Sequence, residues 1–240
     1  MMELLSDPQT YLSFLSLTAL EIVLGIDNLL FISIVTSRLP LEQQEKTRKL
    51  GLGFALFGRL ALLFSLGWML SLTKPLFSVL EFSFSGRDLV LGIGGLFLIY
   101  KATQEIFFHL EEAGKETPSL SPITMKAALA QILLLDLVFS LDSIITAIGL
   151  VSHLVIMAAA IVVAVIVMIY FSQYVAQFLQ RHPSMKVLGL SFLLLIAVLL
   201  VADSFGHHIP RAYVYFSLAF SMMVEAINII HRKKTQKKNK

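Results

Sequence analysis

Polar positions are scarce along this chain, and they come in pulses. Long apolar runs occupy about 11–36, 50–70, 88–107, 124–149, 153–177, 186–204 and 211–230, and short stretches carrying charge or proline separate most of them. A helix rises 1.5 Å per residue, so about 20 apolar residues cross a bilayer core. Each run predicts one spanning helix, and the fold class expected is an all-α polytopic membrane protein with seven transmembrane helices. Pro40, Pro75, Pro118, Pro122, Pro183 and Pro210 fall between the runs, where a missing amide donor does least harm. His153 marks only a short break, so the fourth and fifth runs predict a tight hairpin. No basic region or cleavage site precedes the first run, which is expected to be a retained helix rather than a signal peptide.

Composition agrees with this pattern. Of the 240 residues, 57% are hydrophobic and 15% are charged, against about 25% charged in a soluble domain; mean hydropathy is +0.81. Cysteine is absent, which removes disulfides, thiolate metal sites and thiol nucleophiles. Charge changes the picture through its placement. Arg38, Lys46, Arg48, Lys49, Lys115, Lys126, Arg181, Lys186, Arg232, Lys233, Lys234, Lys237, Lys238 and Lys240 fall on one side of the predicted spans, and only Lys74, Arg87 and Arg211 on the other. Basic loops stay in the cytoplasm. The bias predicts an outside N-terminus and a cytoplasmic C-terminus, with a basic tail at 231–240 positioned near anionic lipid. Nucleic acid is not an expected partner of so short a tail.

One stretch recurs. Glu21-Ile-Val-Leu-Gly-Ile-Asp-Asn28 in the first run returns as Asp136-Leu-Val-Phe-Ser-Leu-Asp-Ser143 in the fourth, acid for acid at the first and seventh positions. Val90-Leu-Gly-Ile-Gly-Gly-Leu-Phe-Leu-Ile99 in the third run matches Val187-Leu-Gly-Leu-Ser-Phe-Leu-Leu-Leu-Ile196 in the sixth at six of ten positions. Spans one to three (about 11–107) and four to six (about 124–204) therefore read as duplicated units in a single membrane domain. An odd number of spans per unit makes the second enter from the opposite face, an inverted repeat of the kind that places substrate sites at the midplane. The seventh helix (about 211–230) stands outside the duplication.

The candidate chemistry lies in those motifs. A carboxylate at the centre of a span costs about 2.5–3.5 kcal/mol on insertion scales. Five are expected here: Glu21, Asp27, Asp136, Asp142 and Glu225. The only deep base is Arg59, and one Arg cannot neutralise five acids. The cluster calls for a bound cation, protons or both, with Arg59 steadying an acid in the empty state. In a continuous helix, six residues advance about 600° and roughly 9 Å, which points Glu21 and Asp27 apart. Glu21, Gly25 and Asn28 share a stripe, as do Asp136, Ser140 and Ser143. Either the helices loosen at Gly25 and Ser140, bringing both acids of each motif to one ion, or Asp27 and Asp142 bind while Glu21 and Asp136 support them. Gly25 favours loosening in the first motif; Ser140 is the weaker breaker. Asn28, Ser140, Ser143 and Asn228, which follows Glu225 at i+3, add neutral oxygens. Such ligands suit Mg²⁺, Ca²⁺ or Mn²⁺. Every His lies near a helix end or in a loop; Asp203, His207 and His208 form a cluster expected on the outer surface. Lys101 and Glu105 are expected to pair along one helix, Arg87 and Asp88 mark a helix start, and Gly92, Gly94, Gly95 and Gly189 predict close helix packing. No Ser-His-Asp order, phosphate-cradling loop or HExxH motif supports an enzyme.

The two motifs, with Arg59-Leu60 and Val224-Glu-Ala-Ile-Asn228, closely resemble the TerC family of bacterial integral membrane proteins over nearly the whole chain. The match is to the short branch without appended soluble domains. The resemblance implies a bacterial inner-membrane protein, tied by family name to tellurium resistance and, for better-supported members, to manganese homeostasis. It implies that Asp27, Asn28, Asp136 and Asp142 line a metal path, and that secretion machinery is a partner of some members. The reading that follows is an exporter of a divalent metal, Mn²⁺ first, as substrate and with no permanent cofactor. Its site is formed or flanked by Glu21, Asp27, Asn28, Asp136, Ser140, Asp142, Ser143 and Glu225, and H⁺ or Na⁺ is the expected coupling ion. Two alternatives remain open: a non-transporting factor that delivers metal to secreted proteins at the translocase, and an exporter of cationic amino acids. Tellurite, an anion, would meet five acids and one Arg.

Overall fold

The computed structural model describes residues 8–79, 82–112, 123–148 and 154–238. Lys115, Pro118, Pro122, His153 and Lys240 lie outside them, as do the side chains of Asp27, His109, Asp142, Arg211 and the basic tail from Arg232. The described chain forms α1 (Pro8–Leu24), α2 (Ile26–Thr36), α3 (Leu41–Phe64), α4 (Leu66–Ser71), β1 (Pro75–Val79), β2 (Phe82–Ser85), α5 (Gly86–Glu112), α6 (Met125–Ile148), α7 (Leu154–Arg181), α8 (Pro183–Ser204) and α9 (Arg211–Lys238). Five described stretches are long and apolar enough to cross a membrane: Gln9–Thr36, Gly86–Phe108, Leu154–Arg181, Pro183–Ser204 and Ala212–His231. α3 and α6 lie over the second and fourth apolar runs.

Several boundaries differ from expectation, each for a local reason. The second run starts at Leu41, well before residue 50, because Pro40 sets the entry angle and Glu42 sits in the favourable first turn. It then breaks at Ser65, whose φ/ψ of −89°/25° leaves the helix before α4 resumes. Pro183 is not in a loop. It opens α8, where a proline at the first turn forfeits no helical bond, so only His182 separates α7 from α8. The fold is not purely helical either. Pro75 opens an antiparallel hairpin pairing Phe77 with Phe84 and Ser78 with Ser83. The hairpin delivers the chain into α5 through a reciprocal cap: the Ser85 amide donates to Asp88 Oδ2 at 2.9 Å, and the Asp88 amide donates to Ser85 Oγ at 3.2 Å. Asp88 thus marks a helix start, as the sequence predicts.

The bundle is knit by close crossings. α5 packs along α8, α1 and α2 along α7, and α3 against both α6 and α7; α9 lies on α8. At the α5–α8 crossing, a Cβ on Gly92 would sit 3.0 Å from Ser204 Oγ, and one on Gly95 would sit 2.9 Å from the Ala197 carbonyl oxygen. Later residues of α5 meet earlier residues of α8, so the two run antiparallel. Gly94 of α5 faces Val138 of α6, while Gly189 meets only Leu30 at ordinary contact distance. Around these crossings Phe31, Leu91, Leu98, Leu135, Leu193 and Leu200 belong to one buried apolar core. Phe57, Ile93, Leu96, Val155, Ile166 and Phe216 project outward, each more than half exposed. An apolar rind outside an apolar core is the pattern of a protein solvated by lipid, with its backbone polar groups satisfied inside helices.

Candidate cation site between the two acidic motifs

The first motif breaks its helix where glycine permits. The Gly25 amide donates to the Ile22 carbonyl at 3.1 Å, a three-residue step, and Gly25 caps α2 at φ/ψ −91°/−5° without a side-chain bond. Space, not an unusual φ, favours glycine: a Cβ there would displace the flexible end of Met168 of α7 and lie 3.0 Å from the Glu21 carbonyl oxygen. The second motif does not loosen, and α6 runs unbroken through Ser140. Ser140 keeps its amide in the helix and turns its hydroxyl to Asp136 Oδ2 at 3.3 Å.

The two motifs meet at Arg59. From α3 its Nη1 donates to Glu21 Oε2 at 2.9 Å, while Nη2 and Nε donate to Asp136 Oδ1 at 2.8 and 3.1 Å. Asn28 Nδ2 donates to the same Asp136 oxygen at 3.2 Å. Glu21, Asn28, Arg59, Asp136 and Ser140 are all buried. Ser143, one turn on, is buried too, but its hydroxyl returns to the Ser140 carbonyl at 3.3 Å. The helix faces explain the convergence: Glu21 and Asn28 share a stripe across the break, and Asp136 and Ser140 share one on α6. The backbones of Asp27 and Asp142 continue α2 and α6.

Other predicted residues lie elsewhere. Glu225 is on α9, where it accepts from Asn228 Nδ2 at 3.2 Å and has its Oε1 buried without a partner. It borders a groove of about 370 Å³ between α8 and α9, with Ser184, Ser191 and Ser221. Glu105 does not pair with Lys101. Its carboxylate accepts from Arg38 Nη1 at 2.7 Å, with both side chains at least nine-tenths buried, while Lys101 bonds Gln104 at 3.3 Å. His208 Nδ1 lies 3.1 Å from Asp203 Oδ1, with the His208 side chain exposed and that of Asp203 mostly covered. Among the described residues, no group of three acids or histidines is arranged to hold a metal.

Thr18 is a residue that the two motifs do not reveal. It falls one turn before Glu21 on the same stripe, and its Oγ1 is buried without a hydrogen-bond partner. A mid-helix threonine ordinarily bonds the carbonyl one turn back, so nothing in the sequence distinguishes it.

Residues 6–240 match the model of the integral membrane protein TerC family. The chain belongs to this family. It is 48% identical over 233 residues to the UPF0053 inner membrane protein YoaE of Escherichia coli K12, covering 97% of this chain and 45% of that one. It is 48% identical over 232 residues to the inner membrane protein YgdQ of the same strain, covering 96% and 97%. A UPF0053 protein of Haemophilus influenzae is 47% identical over 236 residues, covering 97% and 99%. The chain thus spans less than half of YoaE but nearly all of YgdQ and the Haemophilus protein. No solved structure matches it.

Proposed function

We propose that this TerC-family protein is a non-enzymatic bacterial inner-membrane transporter that exports divalent metal, Mn²⁺ first, through a path lined by both acidic motifs. The observation that carries this reading is the convergence of Glu21 and Asp136, residues 115 positions apart, on one buried point. Two carboxylates from separate helices, with the Ser140 hydroxyl on Asp136, bring oxygen donors to that point. Hard divalent cations prefer such donors. A merely structural role does not explain two acids served by one base inside lipid. The inner-membrane location rests on the named relatives YoaE and YgdQ.

The architecture proposed is seven spans, with spans one to three and four to six as inverted repeats. Helix packing supports it. Exchanging the two units converts the contact of span one on span five into that of span four on span two, and both are extensive. Spans three and six, equivalent by the repeat, pack antiparallel on one another. Rocking of one unit against the other would expose the shared point alternately to each face. With Asp27, Asp142 and Glu225, the chain carries more acids than one divalent ion requires, so exchange for H⁺ or Na⁺ is the coupling proposed.

Purified protein in liposomes tests this. Wild type should release trapped Mn²⁺, and Asp136→Asn or Glu21→Gln should slow release about tenfold or more, as expected for losing one charged contact of about 1.4 kcal/mol. Mn²⁺ binding without flux would move the protein to metal delivery beside secretion partners. Neither binding nor flux would favour the second reading, export of an aliphatic cation such as lysine, for which the groove beside Glu225 offers apolar walls and a carboxylate.

A further inference from the structure

We infer that Arg59 is a tethered stand-in for the cargo: it occupies the cation seat between the two motifs in the empty carrier and leaves that seat when metal enters. This rests on the transporter reading above and assigns one residue the return half of its cycle.

The geometry separates this from an ordinary ion pair. A counter-ion for a single acid need only lie beside it. Arg59 reaches both motifs at once, 2.9 Å from Glu21 and 2.8 Å from Asp136, and its fork places two nitrogens on one Asp136 oxygen. These are the oxygens a divalent ion between the motifs would use. All three side chains are at most 8% exposed, so a guanidinium and a metal seated together would be two unscreened like charges in contact. One must leave.

Charge counting gives the consequence. Glu21, Asp136 and Arg59, each ionised, sum to −1. With Arg59 withdrawn and one divalent ion bound the seat is neutral. With neither it is −2, buried in a medium that opposes charge. A carrier whose seat holds −2 resists the closed intermediate through which it must pass to return empty. Arg59 halves that charge to −1, and the H⁺ or Na⁺ proposed to be exchanged on the return leg would neutralise the rest. The second repeat supplies no alternative: α7, the counterpart of α3, has no charged residue before Arg181. Arginine suits the role, since its planar fork bridges two carboxylates where a lysine ammonium makes a point contact.

The experiment compares wild type, Arg59→Gln and Arg59→Lys in liposomes, in two assays. Net release into metal-free medium requires empty return; exchange of labelled for unlabelled Mn²⁺ does not. Arg59→Gln should keep exchange within about threefold of wild type and lose net release by about tenfold or more. It should also bind Mn²⁺ more tightly, because a competitor seated about 90% of the time lowers apparent affinity about tenfold. Arg59→Lys, which keeps the charge, should retain net release in part. Retention of net release by Arg59→Gln would overturn the inference and leave the transporter reading intact. So would equal loss of both assays in folded Gln and Lys variants, the signature of a purely structural pair. Should Arg59→Gln fail to fold, Arg59→Met carries the same two expectations. Absence of both activities in wild type would sink the transporter reading and this inference with it.

Discussion

At the scale of single residues, cost of burial decides what matters. A carboxylate in an apolar run is anomalous from its sequence neighbours alone, and Glu21 and Asp136 are legible for that reason. Their partners are not, because partnership depends on which helices meet. The Lys101–Glu105 spacing is correct for a helical pair, yet Arg38, 67 positions away, takes Glu105 at 2.7 Å. The geometry favours the distant residue: the Arg38–Glu105 pair is buried, whereas an exposed i,i+4 pair contributes only about 0.3–0.5 kcal/mol. Removing one member of a buried pair strands the other charge, at about 3–5 kcal/mol when burial is complete. Arg38→Ala should therefore destabilise the protein by about 2–4 kcal/mol, near that range because the pair lies close to a helix end. Lys101→Ala should change stability by no more than about 0.5 kcal/mol. Unfolding in detergent, with Glu105→Ala completing a double-mutant cycle on Arg38, measures both. Equal small shifts for Arg38 and Lys101, with no coupling to Glu105, would contradict the pairing.

At the scale of elements, helix existence is legible in the sequence and helix ends are not. Apolar length marks a helix, but its ends answer to caps and turns, so Pro40 and Pro183 move the starts of α3 and α8. The hairpin escapes notice because Phe82-Ser83-Phe84-Ser85 alternates over too few residues to stand out beside the spans. The glycines of the third run are legible as packing residues, and one of them sets how close α5 and α8 approach. A Cβ on Gly95 would meet backbone, the Ala197 oxygen at 2.9 Å and the Val201 nitrogen at 3.1 Å, besides Val201 Cγ2 at 2.8 Å. Backbone cannot rotate away, so the helices would have to separate. Gly95→Ala should cost about 1–3 kcal/mol, the usual range for overpacking. Gly53→Ala, with open space around its Cβ position, should be neutral or stabilising, because alanine is the better helix former. Thermal unfolding of the two variants side by side checks the contrast. A comparable loss for both would mean that the close crossing does not control stability.

At the scale of the whole molecule, the proposed site depends on topology. In the proposed inverted repeat, Glu21 and Asp136 would reach one point through helices that run in opposite directions, three spans per unit producing the inversion. The distribution of Lys and Arg predicts the same arrangement, with α3 entering from the cytoplasm and the β1–β2 hairpin outside. Because the chain has no cysteine, a single introduced thiol reports its own side without background. Glu45 and Ser78 are suited to it: both are exposed, and they lie at opposite ends of the α3–α4 segment. In right-side-out vesicles, an impermeant maleimide should label Ser78→Cys at once and Glu45→Cys only after the membrane is opened. The reverse pattern would invert the topology and contradict the Lys and Arg bias, although the direction of coupled exchange, which the gradients set, would stay the same. Labelling of both from one side would mean that α3 does not cross. The units would then enter from the same face, the pseudo-twofold exchange of helix contacts would lose its basis, and Arg59 would belong to a re-entrant segment dipping to the acids rather than to a span passing between them.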